Sequence, residues 1–320
     1  LTGSLDRDPV AGTLDSVQQI QNAVGGVFGI GGGTDAVISA DGRFVYVAGG
    51  DSDSIALFER DGTTGELEFV DAWFDGQGTT QGIGGINRLL LSADGNQLYA
   101  AGSLDNALAI FTIDSVTGRL DQTGFLEEGV DGVDGLAGIT DMILAADDSL
   151  LLVVAEANQS LTTFQRDSAD GGLAWVDTLL NDDLIGTPAE NSLLGAVSII
   201  EADDEILVAS RLSDLVGRFA LVTEIEAEIE TTLPVPTGLI DAVGLGESLI
   251  SPLDLAWDSD QARLYIAAPG EVLLLNLIAE AEVVERYSAA DPDYSLLTGL
   301  SSLSLSPSGR HLQTLSTRAD

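Results

Sequence analysis

AVISADGRFVYVAGGDSDSIAL, residues Ala36–Leu57, returns as LLLSADGNQLYAAGSLDNALAI at Leu89–Ile110 and as MILAADDSLLLVVAEANQSLTT at Met142–Thr163. Weaker copies follow: VSIIEADDEILVASRLSDLVGRF from Val197, DLAWDSDQARLYIAAPGEVLLL from Asp254 and LSLSPSGRHLQTLS from Leu303. The period is about 53 residues, and each copy is a set of short apolar runs separated by Gly/Asp turns. Such a repeat predicts an all-β propeller with one four-stranded antiparallel sheet per copy.

Within a copy the strands are legible one by one. The first is an apolar run ending at a turn such as Ala40-Asp41-Gly42. The second is the run Val45–Ala48, repeated at Leu98–Ala101, Leu152–Ala155, Ile206–Ala209 and Leu264–Ala267. The third ends on a large apolar residue in phase: Phe58, Phe111, Phe164, Phe219, Leu275 and Leu5. The fourth follows a glycine turn at Gly12, Gly65, Gly118 and Gly171–Gly172. Gly and Asp supply the backbone angles of tight hairpins, and Val, Ile, Leu and Phe suit strands packed between neighbouring sheets.

The two ends read as halves of one copy. Residues 1–20 align with the second half of a repeat, LDRDPVAGTLDSV against FERDGTTGELEFV at Phe58–Val70, and Leu303–Asp320 supplies a first half. Their union predicts six blades, with the last closed by N- and C-terminal strands and no unpaired edge. The expectation is a single β-propeller domain over 1–320; a trimmed piece of a longer array is the competing reading. The chain begins at Leu, which reads as a processed or excised piece. No run approaches the roughly 20 apolar residues of a membrane span.

The formal net charge is −40, from 52 Asp and Glu against 12 basic residues, all of them Arg. Yet 45% of residues are apolar and the mean hydropathy is +0.24. The carboxylates must therefore crowd loops and outer strands around an apolar interior, unlike a disordered chain. Such a surface repels nucleic-acid phosphates and anionic membranes. It also repels itself, which argues for a monomer at low salt and for relief by salt or divalent cations. A saline habitat is the plain reading of it; a surface built to hold calcium or a basic partner is the sharper one. With no Cys, thiol catalysis, disulfides and Cys-zinc sites are excluded.

Nucleophile constellations are missing. The one histidine, His311, aligns with Phe44, Gln97, Leu151, Glu205 and Arg263, a position that tolerates any residue, so it reads as a plain strand residue. The glycine-rich Gly25–Gly33 resembles a phosphate loop, but that motif requires a following helix, and here a strand is predicted at Ala36. The loops Gly76–Gly85 and Gly129–Gly138 are equivalent blade connections. The acidic clusters Asp51–Asp53, Glu127–Asp134 and Asp182-Asp183 lack the spacing of a calcium loop.

One position is singled out by the repeat itself. Just before each first strand stand Asp35, Arg88, Asp141, Ala196, Asp254 and Ser302. Asp35, Asp141 and Asp254 fall on alternate blades and form a candidate metal site, with Ca2+ or Mg2+ as the ion. Arg88, with Asn87 beside it, is a candidate ligand-binding pair through the planar guanidinium. Thr34 and Thr140 precede two of the Asp residues. The alternative is that these carboxylates accept hydrogen bonds from backbone N–H groups nearby.

The string SADGRFVYVAGGDSDSIALFERDGTTGELEFV resembles the repeat of lactonase-type (YVTN-like) bacterial β-propellers, and EEGVDGVDGLAGITDMILAADDSLLLVVA is similar to the same repeat in large secreted and cell-surface proteins. The resemblance covers nearly the whole chain. It implies enzymes that open or form sugar-acid and muconate lactones, usually seven-bladed, with polar channel residues; it equally implies extracellular propellers with no assigned activity. The first expectation is therefore a binding or interaction module of a larger extracellular, cell-surface or periplasmic protein, with a protein, glycan or small molecule as partner. The second is a metal-assisted lactone hydrolase in which Asp35, Asp141 and Asp254 serve catalysis by holding the ion and Arg88 orients substrate. The third is a structural spacer.

Overall fold

The computed structural model describes residues 2–7, 14–226, 229–240, 249, 251–277, 282–291, 294, 297–305 and 312–316. Its strands, in chain order, are β1 (Thr2–Arg7), β2 (Leu14–Ile20), β3 (Gly33–Ile38), β4 (Phe44–Gly49), β5 (Ser54–Arg60), β6 (Leu67–Phe74), β7 (Ile86–Leu91), β8 (Gln97–Gly102), β9 (Ala107–Ile113), β10 (Leu120–Glu127), β11 (Ile139–Ala145), β12 (Leu150–Ala155), β13 (Ser160–Arg166) and β14 (Leu173–Leu180). They continue with β15 (Ala196–Ala202), β16 (Glu205–Ser210), β17 (Leu215–Glu226), β18 (Ile229–Ile240), β19 (Asp254–Asp258), β20 (Arg263–Ala268), β21 (Glu271–Asn276), β22 (Glu282–Ser288), β23 (Leu300–Leu305) and β24 (Leu312–Ser316). No helix among the described residues is long and apolar enough to cross a membrane.

Each internal repeat forms one antiparallel meander: β3–β6, β7–β10, β11–β14, β15–β18 and β19–β22. The expectation of six blades is corrected here. The described strands form five four-stranded blades, and the terminal half-repeats are two separate two-stranded sheets, β1–β2 and β23–β24. Each half-repeat satisfies one side of its ladder with its own hairpin partner. Joining them would require pairing the two ends of the chain, the costliest loop closure available, and likeness of sequence carries no signal for that pairing. His311 and the join at Ser316–Asp320 and Leu1–Leu5 lie, wholly or in part, outside the described residues.

The chain divides into two compact units. Unit one comprises Leu1–Leu151 with Phe164–Trp175, and unit two Leu152–Thr163 with Val176–Asp320. In unit one, Phe44, Tyr46, Ile55 and Leu57 of one blade pack against Ile86, Leu89, Leu98 and Phe111 of the next. In unit two, Leu207, Ala209 and Val216 pack against Leu255, Leu264, Ile266 and Leu275. The in-phase residues Phe58, Phe111, Phe164 and Phe219 are fully buried. The middles of the second strands are apolar, and all six residues of β8 and of β12 are buried, the polar Gln97 that opens β8 included.

Polar groups stitch blade to blade between these apolar layers. The Tyr46 hydroxyl donates to the Gly118 carbonyl at 2.8 Å, and Tyr99 donates to Gly171 at 2.9 Å, each from a second strand to the glycine turn of the following blade. Burial pushes both phenols above their ordinary pKa. Asp53 and Asn106, both in the left-handed region (φ 48° and 52°), accept the backbone N–H of Gly85 (2.6 Å) and Gly138 (2.9 Å). Asp and Asn tolerate that backbone region better than other side chains.

Candidate functional site

First strands of consecutive blades lie side by side, β3 against β7 and β7 against β11 in unit one, and β15 against β19 and β19 against β23 in unit two. They begin earlier than predicted, so Asp35 and Arg88 sit inside strands and not before them. In β3 the register shifts between Gly33 and Asp35, and in β7 between Ile86 and Arg88. The extra residue in each case is Thr34 or Asn87. A bulge frees its residue from the ladder and re-aims its side chain. Thr34 Oγ1 donates to the Ile86 carbonyl at 2.8 Å, and Asn87 Nδ2 donates to the Ile139 carbonyl at 2.6 Å. Both are therefore latches to the next blade. Asn87 Oδ1 is buried with no hydrogen-bond partner.

The residue after each bulge carries the charge. Asp35 accepts the backbone N–H of Ala36 through Oδ1 and of Leu89 through Oδ2, both at 2.8 Å. Leu89 directly follows Arg88. The Arg88 guanidinium donates from Nε to Asp141 Oδ1 at 3.0 Å and from Nη1 to the Asn87 carbonyl at 3.1 Å. Asp141 Oδ1 also accepts the Met142 N–H at 3.0 Å. Arg88 is about one-third exposed and Asp141 is more deeply set. The result is a cation paired with Asp141 of the next strand, while Asp35 of the preceding strand is tied to the backbone N–H just after it. Three adjacent first strands thus carry Asp35, Arg88 and Asp141, with each member fixed by backbone or by its neighbour.

Asp254 belongs to unit two and is differently engaged. Its Oδ1 accepts Ser198 Oγ and the Leu255 N–H, both at 2.9 Å. Its Oδ2 accepts Ser302 Oγ and the Leu303 N–H, both at 2.8 Å. Four hydrogen bonds use the four lone-pair positions of a carboxylate. Asp254 therefore does not fit a metal ligand. Among the described residues no group of three or more His, Asp or Glu is arranged to hold an ion.

Of the residues singled out in the sequence, the structure brings Asp35, Asn87, Arg88 and Asp141 to one edge of unit one and places Asp254 in unit two. Gly25–Gly33 runs as turns and bends from β2 into β3, with no helix after it. One polar cluster escaped the sequence reading. Arg166 is 5% exposed and donates from Nε to Tyr99 Oη at 2.7 Å and from Nη2 to Gln97 Oε1 at 2.6 Å. Its nearest carboxylate, on Asp94, is 4.0 Å away. The only trace in the sequence is the shared Phe-x-Arg-Asp of Phe58–Asp61 and Phe164–Asp167, which does not reveal partners 67 and 69 residues away.

A family model described as "Lactonase, 7-bladed beta-propeller" matches residues 33–82 and 76–184. That segment contains Asp35, Asn87, Arg88 and Asp141 and stops short of Asp254. No curated protein matches the sequence. Among solved structures, a candidate 6-phosphogluconolactonase from Bacteroides uniformis is similar with TM-score 0.70 and 13% identity, over 98% of this chain and 83% of that one. The periplasmic gluconolactonase of Pseudomonas aeruginosa gives TM-score 0.51 and 24% identity, over 74% of this chain and 64% of that one. The β-propeller domain of Cps50 (Swd1) from Myceliophteria thermophila gives TM-score 0.59 and 10% identity, over 98% and 90%. At these identities the likeness concerns fold.

Proposed function

We propose, from the premise that the repeats of residues 33–184 belong to the lactonase-type β-propeller family, that this protein hydrolyses a sugar-acid lactone at the Asp35–Arg88–Asp141 edge. The observation that carries the reading is the position of Arg88, held by Asp141 at 3.0 Å with Asp35 bonded to the next backbone N–H. Hydrolysis of a lactone builds negative charge on the carbonyl oxygen. A guanidinium fixed beforehand stabilises that charge without reorganising. Asp141 aims it, and Asp35 accepts the proton of the attacking water. The water oxygen bonds to the carbonyl carbon, the ring C–O bond breaks, and the departing ring oxygen takes the proton back from Asp35.

The charge of the protein selects among lactones. A surface at −40 repels a phosphorylated substrate and leaves a neutral one unaffected. We therefore assign an uncharged sugar lactone as the preferred substrate class.

The test is acid release from glucono-δ-lactone, followed in a pH-stat, for the native protein and for Arg88→Gln and Asp35→Asn. Native turnover above the buffer rate, falling by about 100-fold in Arg88→Gln with thermal unfolding unchanged, supports the reading. A native rate equal to buffer alone refutes it. The 6-phospho lactone is expected to be the poorer substrate at low salt, with the gap narrowing as salt screens the surface.

A further inference from the structure

On unit one, the loop after β6 and the loop between β8 and β9 enclose a groove of about 550 Å³ beside the outer strand β10. In the sheet order β10-β9-β8-β7, this is the edge opposite Arg88. Two large apolar side chains stand in it, Leu104 at 77% and Phe125 at 40% exposure. Both rest on glycine. Gly82 (φ 78°) lies under Phe125, and a side chain at Gly85 (φ 61°) would collide with Leu104. The glycines of this blade connection are thus a floor that lets apolar groups lie across the backbone.

The polar lining is of one sign. Asp75, Asp105 and Glu127 line the groove and no Arg does. Two of these carboxylates are held in place: Asp75 Oδ1 accepts the Ile83 N–H at 3.1 Å, and Asp105 Oδ2 accepts the Gly84 N–H at 2.8 Å. The far wall is tied by Gln122, which accepts from the Gln81 N–H (2.9 Å) and donates to the Gln81 carbonyl (2.8 Å). The groove is therefore built before anything enters it, which lowers the ordering cost of binding.

We propose that this groove docks an extended peptide segment that carries an Arg or Lys next to a large apolar residue. Charge complementarity decides the occupant. An apolar ligand alone would desolvate the carboxylates and give them no counter-charge, and a cation alone would leave Leu104 and Phe125 in water. A basic residue flanked by an apolar one satisfies both, and an anionic or nucleic-acid partner is repelled. A second copy of this chain, also at −40, is repelled for the same reason.

The probe is a fluorescein-labelled decapeptide of alternating Arg and Leu, read by anisotropy at about 0.15 M salt, with Arg/Ser and Glu/Leu decapeptides beside it. The exposed pair is changed together, Leu104→Ser with Phe125→Ser. Leu212→Ser is the control: it is the matching loop residue of unit two, 60% exposed and likewise seated over a glycine, Gly195. The expected result is saturable binding of the Arg/Leu peptide alone, weakened at least tenfold by the double change and unaltered by Leu212→Ser. No binding, equal binding of the Arg/Ser peptide, or equal loss from Leu212→Ser overturns the proposal and leaves only general attraction to an acidic surface.

Discussion

A carboxylate in a first strand means different things in different blades, and hydrogen bonds decide which. Asp254 joins three strands, since its oxygens take Ser198 of β15, Ser302 and Leu303 of β23 and its own next N–H in β19. Asp35 reaches one neighbouring strand through the Leu89 N–H. Removing a buried acceptor leaves its donors unsatisfied at about 1–3 kcal/mol each, and a half-buried one such as Asp254 or Asp35 costs less per donor because water can take its place. Asp254→Ala is thus expected to destabilise by about 2–4 kcal/mol, and Asp35→Ala by about 1 kcal/mol, in urea melts of the whole chain. Equal losses would contradict this account of Asp254 as a saturated acceptor. The sequence placed all three Asp residues in phase and named backbone bonding as one use for them. It could not tell Asp254 from Asp35, because the two hydroxyls that saturate Asp254 come from residues 56 and 48 positions away.

At the level of the strand, the last residue of β4 and of β8 is glycine for a steric reason. A side chain on Gly49 would collide with the Gly29 carbonyl oxygen, and one on Gly102 with the Gly82 carbonyl oxygen. In these two blades the connection crosses directly over the end of the second strand, and only a bare backbone lets it pass. Gly102→Ala is expected to cost about 1–3 kcal/mol, the range for overpacking a filled site. Gly62→Ala, where nothing lies within 4 Å, is expected to stay within about 0.5 kcal/mol; paired thermal melts measure the difference. Glycine at the turns was legible, since hairpin chemistry is local. Glycine at the strand ends was not, because the obstructing carbonyl lies 20 residues back in a connection with no pattern of its own. The bulges that aim Thr34 and Asn87 were hidden for a related reason: they appear only when the register against the second strand is known.

For the whole molecule, net charge sets the response to pH and salt. The sequence pI is about 4.1, so acidification from neutral pH first removes self-repulsion and raises stability. A second effect opposes it at lower pH. Ser39 holds Asp41, and Ser92 holds Asp94, below the usual carboxylate pKa; backbone N–H groups do the same for Asp61 and Asp114. A carboxylate with a lowered folded-state pKa contributes stability above its unfolded value of about 3.9 and loses it as pH falls further. At the alkaline end the sign reverses: buried Tyr46 and Tyr99 must ionise to follow the unfolded chain, so stability falls as pH rises past about 10. Urea midpoints at about 10 mM salt should therefore peak near pH 5, and the peak should flatten at about 1 M salt. A maximum at neutral pH that ignores salt would rule out self-repulsion as the governing term. By itself the sequence determined the repeat, the four strands of each internal copy, the buried phenylalanines and the acidic surface, because these follow from local periodicity and composition. Only the tertiary structure decided that the terminal half-repeats form separate two-stranded sheets, that Arg88 pairs with Asp141, and that Leu104 and Phe125 share an acidic groove. Those outcomes rest on pairings between distant parts of the chain, and the free energy of such pairings is not written in any one segment.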